Sequence, residues 1–363
     1  MRPGVPTYIE SLTPYVPGKP IEETQREFGL TDVVKLASNE NPLGPSPLAL
    51  EAMREASSRL HLYPDSTSHA LVQRLSRFLS VDAARLFLGS GSNEIIELLI
   101  RTFTEPGDEA VISRGSFVMY KVALQAHGRR FTEVPMTDGF RYDLEAMAEA
   151  ITPHTRIIFL ANPDNPTGTA FGRAALEAFY ARVPDDCLLV LDEAYFEYVD
   201  WAEYPNGLRY VDAWPNLVVL RTFSKIYGLA GARVGYAATS AERVAYLNRT
   251  RMPFNLTSVG QAGAAAALDD VEHVRRTQQV TREGLKHLTR GLEKLGLRLS
   301  ESHTNFVYVD LGRPAAPVYQ ALLRRGVIVR PLLNYDMPQA LRISVGLSDE
   351  NERLLHELRE VLR

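Results

Sequence analysis

Cysteine and tryptophan are scarce in this chain: its 363 residues hold one cysteine, Cys187, and two tryptophans. A lone thiol excludes an intrachain disulfide framework and a cysteine-rich metal site. The eight histidines show no H-E-x-x-H or comparable ligand spacing, so no metal centre is expected. No apolar run approaches the ~18 residues of a membrane span, and the opening Met1-Arg-Pro-Gly-Val-Pro lacks the apolar core of a secretory leader. A cytoplasmic protein without a membrane partner is therefore expected. Neither sign of charge dominates: 40 Lys and Arg against 44 Asp and Glu leave a formal charge of −4. That balance removes any overall electrostatic reason to seek nucleic acid, and no nucleic-acid-binding motif is present.

What the chain does have is ordinary globular material, 45% hydrophobic and 23% charged, enough for one large core and a smaller one. Residues 1–45 are rich in proline and turn formers ("LTPYVPGKPIEE", "SNENPLGPSP") and read as an arm and a loop, part of which joins the small domain. Residues 46–270 alternate helical stretches with short apolar runs: "RLFLGSGS", "EAVIS", "RRFTEVPM", "RIIFLAN", "CLLVLDEA" and "NLVVLRTFS". Such alternation predicts an α/β domain, a mostly parallel sheet covered by helices on both faces. From residue 271 a long helical segment leads into "NFVYVDL", "VIVRPL", "ALRISVG" and a last helix that Ser348 is expected to cap. Residues 271–363 thus read as a small α+β domain.

In an open parallel sheet, ligands collect beyond the carboxyl ends of the strands, and four predicted strand ends are chemically loaded. "LFLGSGSNE" brings Ser92 and Asn93 to a helix start. "IIFLANPDNPTG" brings Asn165, "LLVLDEAYFEY" brings Asp192 and Tyr195, and "VVLRTFSK" brings Thr222, Ser224 and Lys225. The glycine loop partly matches a dinucleotide fingerprint, but Glu94 stands where the third glycine belongs. An NAD-linked oxidoreductase would also leave Lys225, Asp192 and Asn165 without roles. Taken singly, "NPDNPTG" could be a plain turn and Lys225 a lysine at a helix start. Taken together, the four ends suit one ligand with an anionic group, a ring nitrogen that needs a carboxylate and a carbonyl that needs an amine. Pyridoxal 5'-phosphate has all three.

On these motifs, and from "LASNENPLGPSP" to "LRISVG", the chain resembles the fold-type I pyridoxal-phosphate aminotransferases, and within them the histidinol-phosphate aminotransferases. The resemblance implies Lys225 as the Schiff-base lysine and proton carrier, Asp192 as partner of the pyridine nitrogen, and Tyr195 and Asn165 as donors to the ring oxygen. It implies Ser92, Asn93, Thr222, Ser224 and Arg233 as the phosphate cup and Phe117 as the ring stacked on the pyridine. Tyr63 matches a tyrosine that reaches the cofactor of a neighbouring subunit, which implies a homodimer with shared active sites. Arg342 matches the arginine that holds the α-carboxylate, while Arg330, Tyr15 and Asn39 match substrate-side positions. At Arg114 and Gly115 the chain departs from many relatives, which carry proline there.

The expected reaction passes an amino group from L-glutamate to imidazole acetol phosphate, giving L-histidinol phosphate and 2-oxoglutarate in histidine biosynthesis. The same fold also supports aromatic amino-acid aminotransferases and threonine-phosphate decarboxylases, which remain the alternatives on substrate.

Overall fold

The computed structural model describes residues 4–14 and 17–363. Seven strands form the main sheet, in the order Leu86–Gly89, Gly235–Ala238, Leu217–Thr222, Leu188–Asp192, Thr155–Ala161, Glu109–Ser113 and Arg130–Val134. Gly235–Ala238 runs antiparallel to both of its neighbours, and the other pairings are parallel. The central strands read as unbroken apolar runs because both faces are covered. Ile158 and Leu160 enter one buried cluster with Leu189 and Leu191, while Ile157 and Phe159 enter the opposite one with Leu188 and Val190.

A second, four-stranded antiparallel sheet has the order Arg330–Pro331, Ala340–Ser344, Phe306–Asp310, Arg298–Leu299. Three helices, Val271–Glu293, Ala315–Arg324 and Ser348–Leu362, cover it through Leu288, Leu322 and Leu354. "VIVRPL" does not form one strand: Val327–Ile328 pairs with Val34–Lys35 from the N-terminal segment, and Arg330–Pro331 joins the four-stranded sheet.

The N-terminal segment is more ordered than an arm and a loop. Thr7–Glu10 and Ile21–Phe28 are helical. The second helix follows Pro20, has Glu22 and Glu23 in its first turn and ends on Gly29 at φ 66°, a start and stop too brief to set a visible period. Before residue 271 come two further helices, Ala241–Thr250 and Ser258–Ala267. Ser348 is not a cap: it is the first helical residue, and the Leu347 N–H before it donates to Glu350 Oε2 at 2.7 Å. The parallel strands aim their carboxyl ends at one edge of the sheet, where the second sheet and the 36–39 backbone close over them.

Candidate active site

Residues from all of these pieces line one cavity: Ser92, Asn93, Phe117, Asn165, Asp192, Tyr195, Thr222, Ser224, Lys225 and Arg233 from the large unit, and Asn39, Arg330, Tyr335 and Arg342 from the other side. Tyr15 lies outside the described residues. Tyr63 does not line this cavity; it is 84% exposed and stacks on Phe254 at 4.8 Å between centroids.

Lys225 sits in the turn after Leu217–Thr222, not at a helix start. Its Nζ donates to the Ser38 carbonyl at 3.3 Å, and no carboxylate among the described residues pairs with it. Burial, with Arg342 and Arg233 nearby, lowers its pKa to about 8, because an ammonium there is poorly solvated and faces like charge. The neutral amine is thus accessible near neutrality.

Asp192 ends a strand buried at every position. Oδ2 accepts the Tyr120 hydroxyl at 2.8 Å and Oδ1 accepts the Ala194 N–H at 3.1 Å, both neutral donors. Burial therefore dominates and pushes the carboxyl up to about 6. A carboxylate so placed, with no ion pair to a cation among the described residues, is suited to a cationic or N–H-bearing ligand. Sequence reading missed Tyr120, yet a signal existed: a phenol three residues after Phe117 in an apolar helix needs a buried partner.

On the Tyr195 side, the hydroxyl accepts from Asn39 Nδ2 at 2.8 Å. Asn39 has φ 55° and its N–H donates to Ser344 Oγ at 2.8 Å, so the N-terminal segment is fastened to the second sheet at the cavity. Arg342 donates to Asn165 Oδ1 at 2.5 Å and to the Ala37 carbonyl at 2.7 Å, while its buried Nε has no partner among the described residues. Arg330 stands directly opposite Arg342 in the antiparallel pair, so two buried arginines lie side by side on one wall. Both side chains line the cavity, so this wall offers an anion two cationic donors.

The other end of the cavity is a cup. Helix Ser92–Phe103 begins there, and its first N–H groups lack intrahelical acceptors. Gly91, at φ 78°, precedes it, and a Cβ at Gly91 would collide with the Arg233 guanidinium. Arg233, itself at φ 56°, donates to Ser224 Oγ at 3.3 Å, and the Ser224 N–H donates to Thr222 Oγ1 at 3.1 Å. Helix start, guanidinium and two hydroxyls are a donor set for a phosphate. Phe117 flanks the cavity edge-on to Tyr120, centroids 5.4 Å apart. Two residues before it, Gly115 has φ 76°, a left-handed conformation closed to proline.

The residues present fit pyridoxal phosphate at three points. The cup suits a phosphate, no cation among the described residues forms an ion pair with Asp192, and Lys225 offers a buried amine to an aldehyde. Among the described residues, no group of three or more His, Cys, Asp or Glu is placed to hold a metal ion, and no helix is long and apolar enough to cross a membrane.

Comparison with known proteins agrees with this donor set. The family model for class I and II aminotransferases matches residues 31–358, and the chain belongs to that family. A histidinol-phosphate aminotransferase from Anaeromyxobacter sp. (strain Fw109-5) is 52% identical, over 99% of each chain. One from Moorella thermoacetica is 49% identical, over 98% of this chain and 92% of the relative. The crystal structure of the Sinorhizobium meliloti histidinol-phosphate aminotransferase, in complex with pyridoxal-5'-phosphate, superposes with a TM-score of 0.90 at 32% identity, covering 100% of this chain and 98% of that one. Thermus thermophilus aspartate aminotransferase shares the fold at a TM-score of 0.85 and 23% identity.

Proposed function

We propose that this protein is a pyridoxal-phosphate-dependent histidinol-phosphate transaminase, exchanging an amino group between L-glutamate and imidazole acetol phosphate. The observation that carries the substrate reading is the pair of buried arginines, Arg330 and Arg342, on one cavity wall. One donor is a carboxylate and the other substrate a phosphate ester, and this wall suits either anion. The relatives at about half identity bear the same activity in their names.

When bound, the cofactor supplies an aldehyde for covalent attachment and a ring that accepts an electron pair. Ser92, Asn93, Thr222, Ser224 and Arg233 hold its phosphate, and the Asp192 carboxylate holds the proton on its ring nitrogen. Asn165 and Tyr195 would donate to its ring oxygen, and Phe117 would stack on the ring. Arg342 orients the donor carboxylate, and its hydrogen bond to Asn165 links substrate binding to the ring-oxygen side. Lys225 Nζ, basic enough near neutrality, takes and returns the α-proton. Asn39 fixes the Tyr195 hydroxyl. The two substrates use the site in turn, so ping-pong kinetics are expected.

The same reading makes the protein a cytoplasmic homodimer, divided near residues 45 and 270. Support for the dimer comes from Leu60, Leu62, Tyr63, Met252 and Phe254, apolar side chains left exposed on neighbouring loops. Tyr63 there serves the cofactor phosphate of the partner.

Steady-state kcat/KM for histidinol phosphate, phenylalanine and threonine phosphate tests the assignment. Histidinol phosphate should lead, and a preference of more than about tenfold for either rival overturns the substrate reading. A preparation that takes up no pyridoxal phosphate overturns the chemistry.

A further inference from the structure

Asp164, in the middle of "NPDNPTG", reads from sequence as part of a turn, and the transaminase reading gives it no role. It is fully buried. Its Oδ1 accepts the Ser116 hydroxyl at 2.7 Å; its Oδ2 accepts the Thr167 hydroxyl at 2.8 Å and the Thr167 N–H at 3.2 Å. Ser116 Oγ also lies 2.5 Å from the Tyr142 hydroxyl, which accepts the Ala161 N–H at 3.1 Å. No cation among the described residues answers this carboxylate, an arrangement that costs stability unless something is gained in return.

The gain is positional. Ser116 immediately precedes Phe117, and Asp164 immediately precedes Asn165. These are two walls of the cavity, from segments far apart in the chain. Gly115, at φ 76°, has no conformational preference of its own to fix the loop, so Ser116 ties it to the strand ends, directly to Asp164 and through the Tyr142 hydroxyl to Ala161. We infer that Asp164 is a positioning residue for cofactor binding: one buried carboxylate sets the spacing between Phe117 and Asn165, and so the width of the slot that receives the ring. The inference rests on the transaminase reading. The Asp164 carboxyl is pushed up to about 6 by burial, and its charge is felt by Asp192, Tyr120 and Tyr142. Its hydrogen bonds to Ser116 and Thr167 work against that rise.

The experiment titrates the apo-protein with pyridoxal phosphate and measures turnover in Asp164→Ala, Asp164→Asn and Ser116→Ala. Expected for Asp164→Ala are a cofactor dissociation constant raised at least about tenfold and kcat lowered by a similar factor, with KM for glutamate within about threefold. Asp164→Asn keeps an acceptor for Ser116 and should recover most of the cofactor affinity, which a purely structural lesion would not predict. Ser116→Ala should raise the dissociation constant at least about threefold, and it decides the matter if Asp164→Ala does not fold. Variants that bind cofactor and turn over within about twofold of wild type overturn this inference alone, as does an Asp164→Asn no better than Asp164→Ala. A wild-type protein that takes no pyridoxal phosphate overturns the transaminase reading, and this inference with it.

Discussion

Two side chains carry most of the pH dependence expected of this site. Lys225 has its pKa lowered to about 8, and only the neutral amine attacks an aldehyde. Stopped-flow capture of pyridoxal phosphate by the apo-protein should therefore quicken about tenfold per pH unit below about pH 8 and level off above it. Asp192 moves the other way, from an ordinary 3.8 up to about 6. A carboxyl raised by folding adds stability fully below its unfolded value, and that stability is lost as pH rises through about 6. Apo Asp192→Asn should accordingly lose about 1 kcal/mol less than wild type between about pH 5 and 7 in denaturant titrations. At this scale the sequence was informative wherever polar residues followed an apolar run: Asp192, Thr222, Ser224 and Lys225 all belong to the cavity lining. It did not name the partners of Tyr120 and Asp164, which lie 72 and 48 positions away.

At the scale of elements, the helix start at Ser92 is the sharpest case. The glycine loop before it could have been a plain tight turn, but Gly91 gives room to a guanidinium arriving from residue 233. Gly91→Ala should raise the dissociation constant for pyridoxal phosphate at least about tenfold while leaving far-UV helicity unchanged. A change within twofold would mean that Arg233 has another place to go. The N-terminal elements show the opposite balance. Val34–Lys35 is a strand only because Val327–Ile328 lies beside it, and a two-residue pairing leaves no period to read.

The whole molecule decides whether one chain suffices. Tyr63 is exposed outside the cavity of its own chain, and it stacks on Phe254. If it completes the partner's site, mixing unfolded Lys225→Ala and Tyr63→Ala chains and refolding them should restore about a quarter of wild-type activity. Half the dimers are then mixed, and each carries one intact site. Recovery no greater than the sum of the two variants alone would place Tyr63 outside catalysis.

Period, turn chemistry and the residues at strand ends were enough to determine a mostly parallel α/β unit, a smaller α+β unit and the set of groups that suits pyridoxal phosphate, because those signals are local and each strand's ends are fixed by its own apolar run. Tertiary structure alone decided that Arg330 and Arg342 stand in register on one wall, that Asn39 reaches Tyr195 across the two units, and that Asp164 holds the loop of Phe117. Those contacts depend on how distant segments meet, and spacing along the chain does not encode a distance in space.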